Sequence, residues 1–316
     1  MSDKIIWQSA GGEIELLPAN GRVLQARVGE HRAFWTNDQW SGDWNAGGDR
    51  LWLGPEVSWF WKSVEKFDVT QHEVPAAIDP GAWHVISSDD DHCNLEQEVL
   101  LRHRRREAWA RVHIERRFAP VDLAEAPLWK SQVAYETANT LRILDGTPGE
   151  RIDLWSISQV PAGGSVFVGA RQNAVPRDYF TPITDESWSR EGVLLRFEIS
   201  GETVYKIGLA PGEVSGRMAY ARLVEDEYFV ILREFCPQAW RLYADVPMND
   251  LGGSGDAIQL YNDDGTFGGF GEMEFHSPAL EVGRGPQVLQ DVSLCVVGTV
   301  AQNDWSAWQE FWLRGA

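Results

Sequence analysis

The chain has 316 residues, 28 basic against 47 acidic side chains, a formal net charge of -19, and sixteen tryptophans. That charge argues against a nucleic-acid partner, because displacing counterions from phosphates needs a basic surface. No run of about eighteen apolar residues occurs and the start is not leader-like, so no membrane partner and a cytoplasmic location are expected.

Alternation of apolar and polar residues with a period of two begins within 12–29 and breaks at Ala19-Asn20-Gly21, which predicts two strands and a turn. The stretch from Phe34 to Trp61 then holds six of the tryptophans. Gly47-Gly48 permits a tight turn, after which Asp49-Arg50 enters Leu51-Trp52-Leu53. An arginine beside indoles suits a sugar, since the guanidinium donates to hydroxyls and an indole face stacks on C-H bonds. Asp49 and Arg50 are therefore candidate binding residues, with Trp35, Trp40 and Trp44 in the preceding loop as the rim of a cleft. Trp52 and Trp59 or Trp61 are expected mainly in the core, the last two on one face of a strand opposite Phe60.

Strands are predicted next at 94–103 and 108–121. They carry the only basic concentration, from Arg102 to Arg117, which Glu96, Glu98, Glu107 and Glu115 dilute; a solvated sheet face is the expectation. The segment 152–161 places Trp155, Ile157 and Gln159 on one face. Further alternating runs follow at 164–170, 192–200, 202–210, 217–224, 227–235 and 287–300. Among them, a strand from Gly271 to His276 would put Glu272, Glu274 and His276 on a single face. Two carboxylates beside an imidazole can supply acid and base catalysis, because neighbours push their pKa values apart.

The last segment is the one clear helix, with Asn303 or Asp304 as cap and Trp305, Trp308 and Trp312 on one face, expected to plug an end of the sheets. Cys93, Cys236 and Cys295 lack any C-x-x-C spacing and are expected as free buried thiols. The seven histidines form no metal spacing, although His84 and His92 could meet carboxylates in space; no metal and no cofactor are expected. Phosphate-binding, dinucleotide and serine-nucleophile motifs are missing. The whole chain, 1–316, is thus expected to form one all-β antiparallel domain.

Three segments, GGDRLWLGPE at 47–56, ERIDLWSISQVPAGG at 150–164 and GEMEFHSPALEVG at 271–283, together resemble an uncharacterised bacterial branch of the galactose mutarotase-like (aldose 1-epimerase) superfamily. The resemblance implies a large antiparallel β-supersandwich whose concave face binds carbohydrate. It also implies a glutamate general base, here Glu274 with Glu272 as the less favoured choice, and a sugar-contacting arginine, here Arg50. The family's acid is a histidine in a central strand, and Gln159 stands about where it should be. Glutamine cannot protonate a ring oxygen, so the acid would come from elsewhere, with His84 and His276 as candidates. The resemblance leaves open an aldose 1-epimerase-like isomerase, a lyase or glycoside-cleaving enzyme using Glu272, Glu274 and His276, and a sugar-binding protein without turnover. The acidic balance favours an uncharged or cationic small carbohydrate or oligosaccharide over a polyanion.

Overall fold

The computed structural model describes residues 4–123, 126–285 and 287–314. Two antiparallel sheets, of eleven and ten strands among these residues, pack face to face. The first runs Ile5–Ser9, Gly12–Leu17, Arg22–Val28, Asp49–Gly54, Arg151–Pro161, Phe270–His276, Ile258–Asn262, Tyr205–Leu209 and Arg177–Asp178, with two short strands beside this path. The second runs from Trp188–Glu191 through Gly164–Ala170, Glu227–Phe235 and Val288–Ala301 to Cys93–Arg102 and His84–Ser88. The predicted strands are present except the one expected through Trp59, Phe60 and Trp61. The longest strand, Ser131–Gly146, escapes the sequence reading because polar Thr137 and Asn139 interrupt its buried row while Ala134, Ala138 and Leu144 fall in the opposite one.

Alternation sorts each strand of the first sheet between two environments. Leu51, Leu53, Leu154, Met273, Phe275, Leu260 and Ile207 turn inward to the shared core. Phe275 stacks on Phe235 of the second sheet, ring centroids 4.4 Å apart. Asp49 belongs to this inward set and is fully buried, its carboxylate 2.6 Å from both the Tyr135 hydroxyl and Arg233. This corrects its expected binding role: one step along the strand puts it on the face opposite Arg50.

Three further expectations change. Pro55 stops the strand that starts at Asp49, and Glu56–Trp59 forms a single helical turn, so Trp59 and Trp61 do not share a strand face. Trp59 and Trp61 are both buried in the core cluster, and Trp61 also reaches the outward face of the first sheet. The basic run is only partly a solvated face: Arg104 donates to the Trp59 carbonyl and Arg105 to those of Val57 and Trp61, closing the end of that helical turn. Arg116 points inward and is buried.

At the C-terminus, Gln302–Asp304, Trp305–Gln309 and Glu310–Arg314 wind as successive 3-10, α and π turns. Asp304 makes no side-chain cap. Trp308 packs with Phe167, Ala219, Ala221, Val230 and Val296 in a second cluster. The helix thus covers the outer face of the ten-stranded sheet instead of plugging an end. Cys93 and Cys295 are buried free thiols, but Cys236 is exposed. No helix among the described residues is long and apolar enough to cross a membrane.

Candidate functional site

Five adjacent strands of the first sheet send their outward side chains to one place. Register sets Ile157 opposite both Arg50 and Glu274, Gln159 opposite Glu272, and Trp155 opposite both Trp52 and His276. Tyr261 lies opposite Glu272 on one side and Lys206 on the other. The expected grouping of Glu272, Glu274 and His276 on one face therefore holds, and Arg50 shares that face.

Over this face opens a small pocket walled by aromatic rings, with an enclosed volume of about 50 Å³. Arg50, Glu272, Lys206, Glu56 and His72 line it, with the rings of Trp44, Trp52, Trp61, Trp155, Phe180 and Tyr261 among its aromatic walls. The indoles divide differently from expectation. Trp44 is on the wall, joined by Trp52 and Trp61, which are also buried in the main core cluster, as expected for Trp52 and for one of Trp59 and Trp61. Trp35 instead packs on Phe270, centroids 4.6 Å apart. Trp40 bonds to the Asp43 carbonyl and lines a separate hollow with Lys4 and Arg32.

Two charge groups form the floor. In the first, Arg50 donates to Glu272 at 2.7 Å and to Gln159 Oε1 at 3.3 Å, with its guanidinium 4.0 Å from the Trp52 ring centroid. Gln159 is fully buried and passes the contact on to Asn45, bracing the tryptophan-rich loop. In the second, Lys206 Nζ sits 2.8 Å from Glu56, 3.1 Å from Glu274 and 4.4 Å from the Trp155 ring centroid. Trp155 Nε1 donates to the same Glu274 oxygen at 2.7 Å. Glu56 also accepts from Trp61 at 3.1 Å and lies 3.2 Å from His72 Nε2.

These surroundings push the carboxyls apart. Burial raises Glu274 to about 7 against the pull of Lys206. It raises Glu272 as well, opposed first by Arg50. Burial works on Glu56 in the same direction, but Lys206 and His72 outweigh it and bring that group down to about 2. The open pocket reaches Glu272, while Glu274 is fully buried beneath Lys206 and Trp155.

His276 directs Nδ1 at Asp153, 2.8 Å away, and its ring stacks on Trp155. Burial lowers His276 and raises Asp153 well above the usual carboxylate range, so both favour their uncharged forms. His276 does not line the pocket. Nor does His84, which is exposed on the edge strand of the other sheet, paired with the strand carrying Glu96; this removes it as a candidate acid. Lys206, Glu56 and His72 line the same pocket and are not among the site residues expected from the sequence. Lys206 lies in a recognised strand as its one central charge, which was the available signal. The other two come together only through the turn after Pro55 and the loop to His72. No group of three or more His, Cys, Asp or Glu residues among those described is arranged to hold a metal ion.

A family model described as a family of unknown function (DUF6786) matches residues 33–294. No curated protein matches the sequence. Among solved structures, a putative aldose 1-epimerase from Escherichia coli superposes with a TM-score of 0.59 at 10% identity, over 95% of this chain and 99% of that one. A galactose mutarotase-like protein from Lactobacillus casei gives 0.57 at 8%, over 94% and 100%. A galactose mutarotase related enzyme from Lactobacillus acidophilus gives 0.54 at 6%, over 95% and 98%. Such identities establish a shared galactose mutarotase-like fold.

Proposed function

The chain belongs to the family of unknown function DUF6786, and from its site and fold we propose that it is a carbohydrate-active protein, an aldose 1-epimerase-like isomerase of a small sugar or sugar derivative. The observation that carries this reading is the pocket: charged groups of both signs lie on its floor under a collar of indole and phenyl faces. Such walls stack on the C-H faces of a sugar while the floor pairs with its hydroxyls. The solved structures of similar fold are described as epimerase-like or mutarotase-like, which supports the same class.

Glu272 takes the proton of the anomeric hydroxyl, since it is the carboxylate that the ligand meets and Arg50 holds its other oxygen. Glu274 acts from beneath, through Lys206. Arg50, Trp44 and Trp155 position the ring, and Gln159 fixes Arg50. The test is to follow anomer equilibration of freshly dissolved hexoses and pentoses by proton NMR. Wild-type protein should accelerate it, and Glu272→Gln should lower kcat by about 100-fold or more. A wild type that accelerates none of them defeats the proposal.

One observation favours a second reading. Glu56 and Glu272 both line the pocket with opposite shifts, the pattern of a glycoside-cleaving acid and base. Release of free sugar from aryl glycosides or disaccharides, lost in both Glu56→Gln and Glu272→Gln, would select it over the isomerase.

A further inference from the structure

Part of the pocket's aromatic wall is carried by two loops, and loops with several glycines keep much freedom unless something fixes them. The stretch 263–269, between the Ile258–Asn262 and Phe270–His276 strands, carries Phe267 and holds Gly265, Gly268 and Gly269, all at positive φ. The stretch 33–48 carries Trp44, whose ring meets that of Phe267 edge-on, centroids 5.4 Å apart. On the isomerase reading above, on which this inference rests, both rings face the sugar. We infer that Asp263 and Asn45 are positioning residues that lock this part of the wall in its sugar-binding shape.

Asp263 is fully buried and does not itself line the pocket. Its carboxylate is wrapped by its own loop: to Oδ2, Gly265 N donates at 3.1 Å, Phe267 N at 3.0 Å and Gly269 N at 2.8 Å. The Tyr261 hydroxyl donates to Oδ1 at 3.1 Å. Tyr261 is itself a pocket ring, set between Glu272 and Lys206 in their cross-strand row. One buried anion thus fixes a ring of the floor and a ring of the wall.

Asn45 closes the other side. Its Nδ2 donates to the Phe267 carbonyl at 2.9 Å, while its Oδ1 accepts from Gln159, the residue that also contacts Arg50. A third contact is steric: a Cβ on Gly268 would lie 2.4 Å from the Trp35 ring, so the two loops meet backbone against indole and only glycine fits there. The Phe267 main chain is therefore held at its N-H by Asp263 and at its carbonyl by Asn45. A wall preset in this way spares the sugar the cost of ordering it on binding.

Hydrogen-deuterium exchange of the sugar-free protein reads the lock without reference to turnover. Asp263→Ala and Asn45→Ala should each speed exchange in both 263–269 and 37–47, because the two loops are held through one another. In the anomer-equilibration assay each should raise KM by about tenfold and keep kcat within about threefold, since neither residue touches the reacting groups. Phe267→Ala should raise KM by a similar factor, and adding it to Asp263→Ala should cost less than about threefold more, because both take the same ring out of place. If Asp263→Ala does not fold, Asn45→Ala carries both readouts, alone and combined with Phe267→Ala. Exchange that speeds up only in the mutated loop, an unchanged KM, or KM effects that multiply to about 100-fold would each overturn the assignment. A wild type that turns over no sugar removes the isomerase reading instead, and the exchange result then still decides whether the two residues lock the wall.

Discussion

Asp49 and Arg50 show how much one residue step decides. Both are buried and both are ion-paired, yet Asp49 ties the two sheets together through Arg233 while Arg50 braces the pocket floor through Glu272. Replacing Asp49 with Asn would leave Arg233 buried without its anion, a loss expected at about 3–5 kcal/mol. Urea denaturation measures it, and the folded fraction should keep its ligand pocket. Arg50, Glu272 and Trp44 were legible as candidates, and all three line the pocket, because their chemistry and their neighbours in sequence agree. Lys206, Glu56, His72 and Trp61 were not, because each depends on a partner more than ten residues away or on how a loop turns. His84 and Asp49 were misassigned because their chemistry fits a site that their strand positions do not reach.

At the scale of elements, two devices place the site without entering it. Gly47 and Gly48 both have positive φ, and a Cβ at Gly48 would lie 2.4 Å from the Val23 carbonyl oxygen. Gly48→Ala should therefore displace the start of the Asp49–Gly54 strand and destabilise by more than about 1 kcal/mol, with ligand binding weakened in the same variant. Thermal melts and a binding titration check the two halves. The C-terminal helix gives the opposite case: Trp308 is fully buried against the outer face of the far sheet. Trp308→Ala should cost about 3–5 kcal/mol in denaturant melts and leave pocket affinity unchanged. Most of the long strands were readable, since alternation is local, although Ser131–Gly146 was not. The single turn Glu56–Trp59 was not, because four residues carry no helical period and its carbonyl ends are closed by Arg104 and Arg105 from the turn that follows the Cys93–Arg102 strand.

For the whole molecule, buried carboxyls set how stability depends on pH. Glu56 is held below its usual range, at about 2, so its contribution is present above its unfolded value of 4.5 and is lost as pH falls through 2. Burial raises Glu274 to about 7, Asp245 to about 6 and Asp291 to about 6, so their contribution is complete at low pH and is lost as pH rises through those values. Repulsion within a chain of net charge -19 acts in the same direction at the upper end. Melting temperature should therefore peak near pH 4–5 and decline toward 7.5, and Glu274→Gln should flatten the decline; a profile that rises from pH 5 to 7.5 would contradict this balance. The sequence by itself determined most of the strands, the all-β class, the fold resemblance and the shared face of Glu272, Glu274 and His276, because a period of two is a local property of the chain. Only the tertiary structure decided which carboxylate meets the pocket, which indoles wall it and that a lysine stands over Glu274. Those depend on strand order and loop cover, which bring together residues as far apart as Glu56, Lys206 and Glu274.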